Sequence, residues 1–165
     1  MKSPHILLAA GNLKKLQMNL VNVIDGNAMQ AIEREIELNA IKLYLLGKTH
    51  YLFAIKQNRN AWRQRISRLY YGGYNVSRSI RLCVSGEYSS DLSDHKKIGS
   101  LPDDFPNNAT YSVRLAALRE DRNLCDYDHT VRCADLSNGT NEATELVESF
   151  LQDTRTYLGN RGIAI

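Results

Sequence analysis

The chain has 165 residues, 43% hydrophobic and 24% charged, with a net charge of +3, which suits one soluble domain (1–165) around a single core. Its longest apolar runs, "HILLAA" at 5–10 and "YLFAI" at 51–55, fall far short of the ~20 residues that cross a bilayer, and the first lacks a signal-peptide layout, so a cytoplasmic protein away from membranes is expected. Cys83, Cys125 and Cys133 are odd in number and lack paired two-residue spacing, which excludes a disulfide framework or a zinc site and predicts buried, reduced thiols.

Apolar residues recur at helical spacing almost throughout, and alternating strand patterns are nearly absent. The fold is therefore expected to be all-α. An N-terminal extension, residues 1–26, carries a short helix over Leu13–Ile24, closed by Asp25–Gly26–Asn27, whose glycine is a stop signal. The core bundle, residues 28–158, opens with a helix from Ala28 to Leu46 that is expected to break at Gly47, with "KTHYLFAIKQN" extending it or forming a separate turn.

A third helix starts from an Asn60 cap, and Trp62, Ile66, Leu69, Gly73, Val76, Ile80 and Cys83 step by four and three along its core face. Gly72 and Gly73 each cost about 1 kcal/mol of helix propensity relative to Ala, so another helix is expected to cross very close at that level. Between Ser85 and Asn108 the glycines and prolines predict a long irregular connection with one helical turn near His95, an imidazole read as a hydrogen bonder that fixes the loop. Neither His5 nor His50 has companions that suggest metal ligation. A fourth helix spans Thr110–Ala134, and "LSNGTN" at 136–141 closes it and caps a fifth from Glu142 to Leu158. About five helices on mostly short links imply an antiparallel, up-and-down bundle.

The net charge hides an asymmetry. No acid lies between Glu37 and Glu87, whereas residues 38–86 carry nine Lys and Arg, and residues 87–153 carry 14 acids against 6 bases. A strongly positive surface suits a phosphate-bearing partner. Arg63, Arg68, Tyr71, Arg78 and Arg81 are the candidate RNA contacts, since tyrosines can stack bases beside arginine-bound phosphates. The alternative is that the basic segment packs against the acidic one, within the fold or across a dimer, and that Tyr70, Tyr71 and Tyr74 are edges of the core.

The densest polar stretch is "LREDRNLCDYDHTVR", Leu118–Arg132. On the fourth helix Tyr111, Leu115, Leu118, Arg122, Cys125 and His129 form one stripe, so Arg122 and His129 would continue an apolar face; a rival stripe runs through Val113, Ala117, Leu124, Tyr127 and Val131. Seven residues separate Arg122 from His129, about 10 Å along a helix. One helix cannot easily bring both to one phosphate, but two helices crossing on a two-fold axis can. The plainer alternative is an ion-pair ladder from Arg122 through Asp126 to His129, worth a few tenths of a kcal/mol per pair.

Arg122, Asn123, five residues and then His129 resemble the R-x4-6-H motif of the HEPN superfamily (higher eukaryotes and prokaryotes nucleotide-binding domain). "SRLYYGGYNVSRSIRL" is similar to the tyrosine-rich second long helix of small prokaryotic members, "SDHKKIGSL" to their following loop, and "RNLCDYD" to the Arg-then-Asp-Tyr pattern of one branch. Together these cover roughly residues 28–158.

The resemblance implies an antiparallel bundle, a homodimer and a metal-independent endoribonuclease without cofactors, acting as a toxin or anti-phage defence effector. It implies that Arg122 holds the scissile phosphate, that His129 transfers a proton, and that Asn123 orients a phosphate oxygen or the histidine, with Asp126, Tyr127 and Asp128 in support. Arginine suits its role as a permanent bidentate cation and histidine as a proton carrier near neutral pH. In the toxin branch a tyrosine two residues after the histidine is adenylylated by a partner nucleotidyltransferase; here that position is Val131, and Tyr127 is the nearest tyrosine. The other function implied is a catalytically inactive binding module that recruits a nucleotidyltransferase or nucleic acid.

Overall fold

The computed structural model describes residues 11–165, so "HILLAA" and His5 lie outside the described residues. Among the described residues there are five α-helices and no β-strand, and none of these helices is long and apolar enough to cross a membrane.

The first helix, α1, spans Leu13–Leu20 and is capped by Asn12, whose side chain accepts from the Lys15 amide at 2.9 Å. It stops short of the expected Ile24. The stretch read as its stop signal instead starts α2: the Asp25 carboxylate accepts from the Ala28 amide at 2.8 Å, and α2 runs over Gly26–Ile55.

Gly47 does not break α2. A Cβ there would sit 2.7 Å from the Gly72 carbonyl oxygen and 2.7 Å from Val76 Cγ2 on α3, Trp62–Ser85. The close crossing expected from Gly72 therefore has Gly47 as its other half, and tight packing of α2 on α3 offsets the low helix propensity of glycine. Gly47→Ala is expected to destabilise the protein by about 1–3 kcal/mol although alanine favours helix, because the added methyl must push two backbones apart. Urea unfolding checks this; an unchanged or higher midpoint would mean that the crossing yields freely.

Along α3 the expected stripe is buried at Ile66, Leu69, Gly73, Val76 and Ile80, with Trp62 and Cys83 at its half-buried ends. The oxygen that caps the approach belongs to Asn58, which accepts from the Asn60 amide at 2.9 Å, and not to Asn60 itself. This helix is the centre of the bundle and packs against α2, α4 (Asn108–Tyr127) and α5 (Thr140–Gly159). It ends at Gly86, whose φ of +69° is left-handed and which leaves 2.5 Å between a built Cβ and the Lys14 amide nitrogen. The Leu13 amide donates to the Gly86 carbonyl at 2.8 Å, which docks α1 on the end of α3.

After α3 the connection makes one 3₁₀ turn, Leu92–Lys97, around His95 as expected, and Ile98 and Phe105 anchor it in the core. On α4 the buried residues are Tyr111, Leu115, Leu118, Asp121 and Cys125, and the apolar ones among them decide for the first stripe within the helix; Val113, Leu124 and Tyr127 of the rival are exposed.

The helix nevertheless stops at Tyr127, seven residues before the expected Ala134. Asp128 is extended, and its carboxylate turns onto the Thr130 amide (2.8 Å) and hydroxyl (2.7 Å). That local bonding competes with the next helical turn. Its consequence for the cysteines is that Cys125 is buried, with burial pushing its thiol up to about 12, whereas Cys133 is exposed beyond the helix end, contrary to the buried thiol expected.

Candidate functional site

The opening of the site is an arginine set among aromatic rings. Arg122, its side chain 16% exposed, donates from one terminal nitrogen to the Tyr71 hydroxyl (2.9 Å) and from the other to Asn123 Oδ1 (3.2 Å). Its Nε lies 2.8 Å from Asp126 Oδ2 as an ion contact that lacks the angle of a hydrogen bond. The guanidinium stands 5.5 Å from the ring centres of Tyr70, Tyr71 and Tyr127, within the range of cation–π attraction. Burial works against the charge, but Tyr71 and Asp126 outweigh it and raise the basicity of Arg122. The rim of the site thus holds a prepositioned cation.

His129 is not on the helix with it. The imidazole sits exposed on the loop after α4 and makes no hydrogen bond or ion pair among the described residues. Of the ion-pair ladder, only the Arg122–Asp126 rung forms. The loop itself is held by Arg63, which donates to the carbonyls of Cys125 (2.9 Å), Asp128 (2.7 Å) and Val131 (2.8 Å), with His129 O at 3.4 Å. These include carbonyls that a helix C-terminus leaves without partners, where a cation is also favoured by the helix dipole.

The remaining acids of the stretch have structural partners. Asp121 is fully buried and accepts from the Ser137 amide (2.7 Å), the Asn138 amide (2.9 Å) and the Asn138 side chain (2.9 Å), which ties the far end of the loop back onto α4. Glu120 accepts from Arg119 at 2.7 Å and from Asn123 at 3.3 Å.

The expected set of RNA contacts separates in the same way. Arg63 is the loop clamp just described. Arg81 is buried and forms a bidentate pair with Asp94 at 2.8 and 2.9 Å. Arg78 donates to the Ser89 carbonyl at 2.9 Å and lies between the rings of Tyr74 and Tyr88. These three guanidiniums are engaged by the chain itself, as the alternative reading of the charge asymmetry had it, because the following segment supplies carbonyls and a buried acid to α3. Arg68 alone of the four arginines is exposed. With Tyr71 it lines an open cleft of about 590 Å³, together with Arg63, Gln64, Ser67, Cys125 and Asp126.

Beside the cleft lies a network that the sequence did not single out. Asp94, 2% exposed, accepts from both terminal nitrogens of Arg81 and from the Tyr74 hydroxyl (2.9 Å), with Arg78 Nε at 3.7 Å. Burial alone pushes its carboxyl up, but the Arg81 hydrogen bonds and charge, helped by Tyr74 and Arg78, hold it below the usual carboxylate range. His95 stacks on Tyr74 at 4.2 Å and shares a 2.5 Å hydrogen bond with the Tyr70 hydroxyl through Nδ1. Its expected role of fixing the loop therefore stands. The one visible signal for Asp94 is its place, with Glu87 and Asp91, among the first acids after the acid-free segment 38–86 and its nine bases.

Burial, and then the Arg122 charge, lower the basicity of His95; burial and Arg68 do the same at His50. Both imidazoles are therefore more readily protonated in the unfolded chain, so their contribution is complete above the ordinary imidazole value of 6.5 and is lost as pH falls below it. Stability measured by denaturant between about pH 7 and 5 should fall with pH. His95→Gln should reduce that slope, and an unchanged slope would show that His95 does not titrate with folding.

No family model, curated protein or solved structure matches this chain.

Proposed function

We propose that two copies of this chain build one metal-independent RNA-cleaving site from paired Arg122, Asn123 and His129 side chains. In this reading the bundle is antiparallel and HEPN-like, the homodimer's two-fold axis passes near the C-terminal ends of the α4 helices, and the protein works in the cytoplasm as a toxin or defence effector. A nucleotidyltransferase antitoxin is the expected partner, with the exposed Tyr127 within its reach.

The observation that carries the reading is that the Arg122 guanidinium and the main chain that carries His129 are both held at one end of α4. Tyr71 and Asp126 hold Arg122, and Arg63 holds the loop that presents His129. Such restraint suits electrostatic catalysis, which depends on charges placed before the reaction starts.

In the reaction, Arg122 opposes the charge on the non-bridging phosphate oxygens and His129 moves a proton. The 2′-oxygen forms a bond to phosphorus as its proton leaves, the bond from phosphorus to the 5′-oxygen breaks, and that oxygen takes up a proton. The products are a 2′,3′-cyclic phosphate and a 5′-hydroxyl. Metal activation of a nucleophile is not required, because the attacking hydroxyl is already adjacent to the phosphorus.

A second reading, a silent module that recruits a nucleotidyltransferase or nucleic acid, draws on the Asp126 carboxylate that already neutralises Arg122. Incubation with mixed RNA in EDTA, mapping of product ends and sedimentation of the protein separate the two. A dimer that leaves cyclic phosphate ends supports cleavage; RNA that is bound but uncut leaves the binding module; a monomer removes the composite site.

Either way Arg68 is the one of the four candidate arginines that is exposed to meet a phosphate. Arg68→Gln should weaken RNA binding and reduce the slope of log affinity against log salt by about 1, whereas Arg78→Gln should leave that slope unchanged. The opposite pattern would place the RNA elsewhere.

A further inference from the structure

The outer face of α2 carries large apolar side chains among its polar ones. Leu38, Leu45, Leu46, Leu52 and Phe53 are between 40% and 49% exposed, and at 3.6 residues per turn they fall within an arc of about 120° opposite the buried face of Ile36, Ala40, Leu43 and Ala54. Leu38, Leu45 and Leu52 recur every seven residues, as do Leu46 and Phe53, so the stripe stays straight over about 22 Å. Two apolar rows of this length on one face, divided by Lys42 and Thr49, mark an interaction surface, unlike scattered surface leucines.

Charge decides what covers it. Lys42 and Lys56 lie within the arc and Lys48 beside it, and no acid follows Glu37 on this helix. At the end of the stripe Arg68 adds a fourth cation over the Phe53 ring at 5.3 Å. In a second copy seated here antiparallel about the middle of the stripe, Lys42 and Lys48 would face residues 39–53, which hold no acid, so these cations would stay without counter-charges. We propose that this face docks an amphipathic helix of another protein, with leucine-like residues along its seam and acids along its flanks. Arg68 also lines the cleft of the cleavage reading, but none of the other residues of this face belongs to that site, so the proposal stands or falls separately.

The test uses two synthetic 21-residue helices that share one leucine seam, one flanked by glutamates and the other by lysines, titrated into the whole protein by fluorescence anisotropy. The glutamate peptide should bind at least about tenfold more tightly than the lysine peptide, with the preference shrinking as salt rises. The double substitution Leu45→Glu with Leu52→Glu should lose that binding at least about tenfold, with circular dichroism unchanged. Lys42→Glu with Lys48→Glu leaves the apolar stripe intact and should reverse the preference, which keeps the proposal testable if the first pair unfolds. It is overturned if neither peptide binds, if both bind alike, or if Leu45→Glu with Leu52→Glu converts a wild-type dimer to monomers, which would identify the occupant as a second copy.

Discussion

His129→Ala is expected to lower RNA cleavage by about 10²- to 10⁴-fold while leaving the thermal midpoint within a degree or two, the range for loss of a positioned proton carrier and for a neutral surface change. The two halves of that expectation come from one fact. The imidazole is exposed and bonded to nothing among the described residues, so its removal breaks no contact. The loop that carries it is held through main-chain carbonyls to Arg63, and these survive truncation of the side chain. Arg63→Ala provides the contrast, since it frees the carbonyls at the end of α4 and should lower stability and cleavage together. Parallel cleavage assays and thermal melts of the two variants decide the matter. Full activity in His129→Ala would remove the imidazole from the chemistry, and a large loss of stability in that variant would make its role structural.

Regular periodicity and local caps made most of the fold legible. The core stripe of α3, the buried stripe of α4 through Cys125 and the 3₁₀ turn at His95 follow directly from apolar spacing and from Gly and Pro placement. The misjudged boundaries have two causes: at Gly47 a tertiary partner overrode a local signal, and at Asp25, Asn58 and Asp128 a side chain bonds a nearby amide in a way that spacing alone does not reveal. Gly47 reads as a helix breaker until Gly72 is seen against it. Asp128 reads as one more helical residue until its carboxylate turns onto Thr130 and Arg63 takes the freed carbonyls. The same holds for the charge asymmetry, which correctly marked α3 as basic but could not tell a solvated arginine from one facing Asp94. Arg68 and Arg81 have the same chemistry in sequence, and only packing separates the exposed one from the buried one.

Asp94→Ala should destabilise the protein by about 3–5 kcal/mol, because it leaves the Arg81 guanidinium buried without its bidentate carboxylate. A domain of this size has only about 5–15 kcal/mol of stability in total, so a substantial unfolded fraction is expected under mild denaturant. Arg81 is 5% exposed and its Nε already lacks a partner among the described residues, and the remaining acid, Glu87, stands 3.9 Å away on the partly exposed side, too far to replace the paired hydrogen bonds. Tyr74 also loses its acceptor, and His95, stacked on that ring, loses its support. If the penalty is the orphaned charge and not the lost contact, then Asp94→Leu combined with Arg81→Met should recover most of it, since apolar replacement of a buried pair is often neutral. Acid should mimic the single variant. The carboxyl is held below the usual range in the fold, so its stabilisation is present above the ordinary aspartate value of 3.8 and is lost as pH falls through the lower folded value. Guanidinium unfolding of the wild type, Asp94→Ala and the double variant, repeated from neutral pH to about pH 3, gives the answer. A double variant no more stable than Asp94→Ala would show that the network matters for its shape and not for its charge.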